Sequence, residues 1–348
     1  MASPRIVSRF PRLCLPLIQF ASHLRTGILG PRNTAEHHIL QHPANPVEET
    51  KHTTASDKIW ARGYAPICNI VVHSFVADDG LTHANFDDAF MRLDADDVLR
   101  MKETAVPTNN RHWRLGFEAD CENWFNTEVA NVTLAAWKRY PGVIQASHCK
   151  PLSSQSIPEN IDSTFSIKFA GKRAPLVIGE MKRNLISATA WQSGFILGQA
   201  SQMKLSQELR GYACKYECPQ VFCFDGSTLL LLQFRALRAK DLEDVRCWVD
   251  CWVLPRATSS CTLRYALYRL LVQGWRRYQA ELAGPDFTVG GLAPCFREFF
   301  TGQPIWGVEE GNFRAHPGGY QRSVDATTGA LIWTHKELPT EMETGAFW

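Results

Sequence analysis

Apolar positions recur every three or four residues in three long stretches of the chain. Over 114–140 they are Phe117, Cys121, Trp124, Phe125, Val129, Val132 and Ala136, the spacing of one broad helical stripe. Pro141-Gly142 ends that helix. Over 199–216, Leu205, Leu209, Tyr212, Ala213 and Tyr216 form an apolar side, and Gln199, Gln202, Ser206 and Arg210 a polar one. Over 264–282, Leu267, Leu270, Leu271, Trp275 and Tyr278 point inward, leaving Arg264, Arg269, Arg276 and Arg277 for the remaining surface. Between these helices the apolar residues alternate or run together, which predicts strands. The segments are 67–75, 143–147, 161–169, 176–182, 220–224, 229–234 and 247–254, with Asp225-Gly226 as a hairpin turn.

The strand at 176–182 carries the most informative pattern. Leu176, Val177 and Ile178 follow Pro175 as a short apolar run, the mark of an interior strand covered on both faces. Alternation puts Leu176, Ile178, Glu180 and Lys182 on one face. A carboxylate and an ammonium thus emerge together at the edge of a core. That is costly unless the charges are paired, hydrated or bound to a metal. Glu49-Thr-Lys51 has the same spacing inside a polar tract with no hydrophobic strand before it. A turn near Gly171 predicts an antiparallel hairpin between 161–169 and the 176–182 strand, with Asp162 close to Glu180. On the first helix Glu118 and Glu122 are four apart, in line with Phe125 and Val129. Glu118 therefore borders the buried side.

Composition narrows the class. With 348 residues, 45% of them hydrophobic, and a formal charge of +2, the chain has ample core and no net charge that advertises nucleic acid or a membrane surface. No run reaches the ~20 apolar residues of a membrane span. Eleven cysteines without a Cys-x2-Cys pair read as buried thiols of an intracellular protein. Residues 1–35 contain five arginines and no acid. They resemble a mitochondrial targeting segment, although Pro4, Pro11 and Pro16 would interrupt its helix; the alternative is a plain extension. The polar, His-rich tract that follows reads as a linker. This divides the chain into an extension over 1–57, a domain over 58–283 and strands and turns over 284–348. Asp325 to Trp333 forms a single hairpin within the last part. Seven aspartates between 78 and 97 lack the spacing of a calcium loop and read as a solvated acidic helix face.

The order helix (Glu118), strand, strand (Asp162), strand (Glu180-x-Lys182), helix (Gln, Arg), strand is αβββαβ, and it resembles the core of the PD-(D/E)XK nuclease superfamily. Val177-Ile-Gly-Glu-Met-Lys182, Glu208-Leu-Arg-Gly-Tyr212 and Pro219-Gln-Val-Phe-Cys-Phe-Asp-Gly226 look like the corresponding runs of a large set of uncharacterised fungal proteins. A similar arrangement precedes the kinase domain in fungal-type protein kinases. The likeness covers about 115–255. Its one departure is that Pro158 lies four positions before Asp162 instead of next to it. The resemblance implies a restriction-endonuclease-like α/β fold and a Mg2+- or Mn2+-dependent nuclease acting on DNA or RNA. Asp162 and Glu180 would be metal ligands, with Glu118 approaching from the helix. Lys182 would be catalytic, and Gln202, Gln207 and Arg210 would contact the scissile phosphate or support the site. Arg264, Arg276 and Arg277 are candidate contacts to nucleic acid. The alternative is a catalytically degenerate module of the same fold, used in nucleic-acid binding or protein interaction.

Overall fold

A computed structural model describes residues 33–78, 80–106, 109–138, 142–150, 160–169, 172–257, 259–282, 289, 291–307, 313–314, 317–324, 331–337 and 342–344. The expected targeting segment and the turn of the 325–333 hairpin lie outside the described residues. The architecture is mixed α/β. Seven strands form the central sheet: β1 (Ile70–Val72), β2 (Val143–Cys149), β3 (Ile161–Phe169), β4 (Lys172–Met181), β5 (Gln220–Phe224), β6 (Thr228–Phe234) and β7 (Val249–Pro255). Their order is β1-β7-β6-β5-β4-β3-β2. The β4–β5 and β7–β1 pairs are parallel and the other four antiparallel.

Three helices cover the sheet: α1 (Glu118–Phe125), α2 (Ala200–Tyr216) and α3 (Leu263–Leu282). The continuous apolar runs arise because both faces are buried. In β5, Phe222 and Phe224 join Trp124 and Phe125 of α1 and Leu267, Leu270 and Leu271 of α3. Val221 and Cys223 turn the other way, toward Leu205, Leu209 and Tyr212 of α2. The stripe predicted over 114–140 is not one regular helix. After α1 the chain makes a π-helical turn over Asn126–Ala130, resumes as Asn131–Leu134 and tightens over Ala135–Trp137.

Two bare Cα atoms let these layers close. β4 is bulged, because Phe165 faces Val177 while Ser166 faces Pro175, which leaves Leu176 without a partner on β3. Leu176 thus packs in the α1–α3 layer, while Ile178, Glu180 and Lys182 keep the α2 side expected from strict alternation. Gly274 of α3 rides over the bulge; a Cβ there would lie 2.3 Å from the Leu176 carbonyl oxygen. Gly179 faces Phe222 across the β4–β5 pair, and its Cβ would lie 1.9 Å from Cζ of the ring. Gly179→Ala is expected to cost about 1–3 kcal/mol by overpacking. In urea the midpoint should fall with the slope unchanged; an unshifted midpoint would mean that the ring is not seated on Gly179.

The first described part of the chain is packed, not a loose linker. Ala35 and Ile39 of the helix Ala35–Ile39 are fully buried. They cover α3, which explains why its arginines are not a solvated face. Arg264 donates to the carbonyls of Glu128, His38 and Gln41, and Arg269 to that of Met91. Arg276 pairs with Asp94 and Asp97, 2.6 and 3.0 Å away. Asp97 also accepts from Tyr268 and is only 2% exposed. Part of the acidic stretch expected in solvent is therefore the counter-charge to α3. Farther along, Val289, Trp306, Tyr320 and Trp333 make a small core of their own. Of the described cysteines, Cys121, Cys218, Cys223, Cys247 and Cys251 are buried. Among the described residues no helix is long and apolar enough to cross a membrane.

Candidate functional site

At the end of β4 the chain emerges from the apolar run with Glu180 and Lys182, only 1% and 2% exposed. The expectation of charges at the edge of a core understates their burial, and the two are paired with each other. Lys182 Nζ lies 2.6 Å from Glu180 Oε1 and 3.1 Å from Oε1 of Glu208 on α2. A second ammonium, Lys58, approaches from the loop before β1. Its Nζ is 2.9 Å from Oε1 of both glutamates and donates to the Tyr212 hydroxyl at 2.6 Å. Ser56 donates to Glu208 Oε2. Among the described residues Glu180 Oε2 has no hydrogen-bond partner although it is buried.

The other acids gather around this pair. The β3–β4 register pairs Ser163 with Gly179, so Asp162 runs alongside Glu180. Asp162 Oδ2 accepts the Met181 amide at 2.7 Å, and its Oδ1 lies 3.6 Å from Nδ1 of His148. His148, next to last in β2, has φ +53°, a left-handed backbone that histidine tolerates better than most residues. Its Nε2 lies 3.3 Å from Glu122 of α1. Glu118, near the solvent, has Oε1 4.0 Å from Lys182 Nζ.

The loop that brings Lys58 is strapped across the end of the sheet. Arg183 donates from Nη2 to the Thr50 carbonyl and from its amide to Thr54 Oγ1, while Nε reaches the Leu115 carbonyl. Farther on, Trp60 and Tyr64 close over Gly211, where a Cβ would lie 2.5 Å from the Trp60 ring.

Burial, the strongest influence on Glu180, raises its carboxyl to about 8 despite Lys182 beside it. For Glu208 burial also acts upward, but Lys182 and Lys58 outweigh it and hold the carboxyl at about 2. Both acids touch both lysines through Oε1. The neighbouring carboxylates Asp162 and Glu208 push Glu180 further up, while the hydrogen bond from Ser56 helps to hold Glu208 down. Burial would lower the Lys182 ammonium, but Glu180 and Glu208 reverse that and raise it. Lys182 is thus a fixed charge and hydrogen-bond donor, not a base. Burial likewise raises Asp162, against the hydrogen bond from the Met181 amide.

Six residues singled out for phosphate or nucleic acid stand elsewhere. Gln202 accepts from Trp191 Nε1 and the Ser187 amide and donates to the Leu185 carbonyl. Gln207 donates to the Tyr64 carbonyl, and Arg210 to the carbonyls of Leu242 and Asp244. These three knit loops to α2. Arg264 and Arg276 hold the earlier chain on α3, and Arg277 reaches Gln220 and the Pro175 carbonyl. The guanidinium groups of Arg264, Arg276 and Arg277 are taken up by backbone, amide or carboxylate oxygen, and Arg210 is buried, donating through Nη1 while its Nε and Nη2 have no partner among the described residues.

Glu208, Lys58, Tyr212, Ser56 and His148 were not singled out as site residues. Glu208 had a readable signal. It falls between Leu205, Leu209 and Tyr212 on the apolar stripe of α2, where an acid is costly without a partner. Lys58, in a loop of no period, had none. Among the described residues no set of three His, Cys, Asp or Glu side chains is arranged to hold a metal ion. An ion at this point would therefore rest on two carboxylates, completed by water and substrate oxygen, a mode that Mg2+ accepts. Compared with protein-family models, with curated proteins and with solved structures, the chain matches none.

Proposed function

We propose that this chain is a Mg2+- or Mn2+-dependent hydrolase of nucleic-acid phosphodiester bonds, built on a restriction-endonuclease-like αβββαβ core. One observation carries the reading. Glu180 keeps a buried carboxylate oxygen that has no partner among the described residues, beside Asp162, at the point where Lys182 and Glu118 also arrive. Hard oxygen donors suit the ion, and Asp162 and Glu180 would hold it. A divalent cation there supplies charge neutralisation and a water of lowered pKa. Lys182, kept charged by Glu180 and Glu208, donates to the charge that develops on the phosphate. Glu118, half in solvent, orients water at the rim.

A second reading keeps the fold without the reaction. It is favoured by Lys58, whose ammonium already neutralises Glu180 and Glu208. In that case the module binds nucleic acid or protein and cleaves nothing.

Purified protein incubated with plasmid and with single-stranded RNA, with and without Mg2+ or Mn2+, tests the choice. Metal-dependent cleavage is expected, and Glu180→Ala and Lys182→Ala should each lower it roughly a hundredfold or more. Cleavage that survives both substitutions belongs to a contaminant. Intact substrate under every metal condition leaves the binding module.

A further inference from the structure

Residues 55–58 cross the mouth of the charged cluster with no regular structure. Both flanks are fastened to the body of the domain. On one side the Thr54 amide donates to the Arg183 carbonyl, and the Arg183 and Asn184 side chains donate to the Thr50 carbonyl. On the other, the Trp60 ring lies 5.0 Å from that of Tyr212. Between these anchors the backbone of 55–58 makes no hydrogen bond to the rest of the chain among the described residues, apart from the local turn in which the Ala61 amide donates to the Lys58 carbonyl. Polar side chains supply the hold. Ser56 donates to Glu208, Asp57 pairs with Arg62 and Lys204 at the surface, and Lys58 caps both glutamates. Surface pairs of the Asp57 kind add little, so Ser56 and Lys58 are the chief ties.

The charges explain what such a segment does there. Glu180 and Glu208 are matched by Lys182 and Lys58, two against two, before any ion arrives. Lys182 rises from inside the protein, its side chain 3% exposed, whereas Lys58 comes from the solvent side at 23%. Only Lys58 can therefore leave without opening the core. Its ammonium stands 2.9 Å from Oε1 of each glutamate and 2.6 Å from the Tyr212 hydroxyl, a cation among hard oxygens. A divalent ion at Glu180 would meet two ammonium groups drawing on the same carboxylate, which repel it. With Lys58 withdrawn, the glutamates keep a net negative charge next to Asp162 and attract it.

We propose that residues 55–58 are a lid whose Lys58 ammonium holds the cation place of the cluster, and that the closed lid and a divalent ion exclude each other. The site is then switched by the ion itself, shut while the ion is scarce and open once it binds. The inference rests on the reading of Glu180 as an ion ligand.

Calorimetry with Mn2+ and lysine acetylation followed by mass spectrometry read the two halves of this exchange. Lys58→Met, which keeps the stem and removes the charge, should bind Mn2+ at least about tenfold more tightly than the wild type. In the wild type, saturating Mn2+ should speed acetylation of Lys58 at least about fivefold relative to Lys51, an exposed lysine ahead of the lid. The second measurement needs no substitution, so it decides the matter if Lys58→Met fails to fold. Equal Mn2+ affinity in the two proteins overturns the lid and leaves the ion site in place. So does tighter binding with Lys58 acetylated at an unchanged rate, because the ammonium then opposes the ion without moving. Absence of Mn2+ binding from both proteins removes the lid together with the nuclease. Ion-driven release of Lys58 in a protein that cleaves neither plasmid nor RNA leaves the lid and removes the nuclease alone.

Discussion

Above about pH 8, where Glu180 is ionised, Lys182→Met should lower the unfolding free energy by about 3–5 kcal/mol, the cost of leaving buried charge without its partner. Lys182 is the ammonium that Glu180 and Glu208 share from inside the protein, while Lys58 reaches the same oxygens from a side chain 23% exposed. Methionine fills the volume, so the loss reports charge and not a cavity. Removing an acid as well should recover much of it. In Lys182→Met/Glu180→Leu, Glu208 keeps Lys58 and Ser56, and no charge is stranded. Urea unfolding of the single and double variants reads both numbers. A single variant within about 1 kcal/mol of wild type would show that the ammonium is hydrated, as in a surface pair.

The second large effect is on stability against pH. Glu180 titrates near 4.5 when unfolded and at about 8 when folded. Between those values the folded protein keeps a proton that the unfolded chain has released, so stability declines as pH rises through the window. One proton accounts for at most about 1.4 kcal/mol per pH unit. Glu208 has the opposite sign. Its carboxyl is held at about 2, so its contribution is present above 4.5 and is lost as pH falls toward 2. Glu180→Gln reproduces the protonated shape and cannot lose the proton. It should match wild type near pH 5, exceed it near pH 8, and show no decline between them from this group. Chemical unfolding at several pH values measures the slopes. Parallel curves for the two proteins would mean that Glu180 is ionised throughout, held by its lysines. If Mg2+ binds at Glu180, its affinity should rise over the same interval, because the ion competes with that proton.

Much of the site's framework was legible in the residues. A three-residue apolar run ending in Glu-x-Lys marks a strand that leaves a core carrying charges, and a turn near Gly171 sets Asp162 beside it. The partners of those charges were not legible. Lys58 is 122 residues from Glu180 and lies in a loop with no period. The arginines of α3 show the same limit from the other side. A helix pattern states which residues avoid the sheet, but not whether another segment covers them. Here earlier segments do so for Arg264, Arg269 and Arg276, through the carbonyls of His38, Gln41 and Met91 and the carboxylates of Asp94 and Asp97, while Arg277 turns to Gln220 and Pro175. Gln202 and Arg210 follow the same rule, since a polar face of α2 meets loops instead of water.

What the sequence determined by itself was local: the periods of three helices, the doubly covered strands, the hairpin at Asp225-Gly226 and the placement of Glu180 and Lys182 together at a strand end. Those follow from interactions between residues close along the chain, where spacing alone fixes which side chains share a face. The tertiary structure alone decided the bulge at Leu176, the strap that carries Lys58, the burial of the basic helix face and the bare second oxygen of Glu180. These depend on which distant segments fill the space beside a residue. Desolvation and pairing are set by that space, and no spacing within one element reports it.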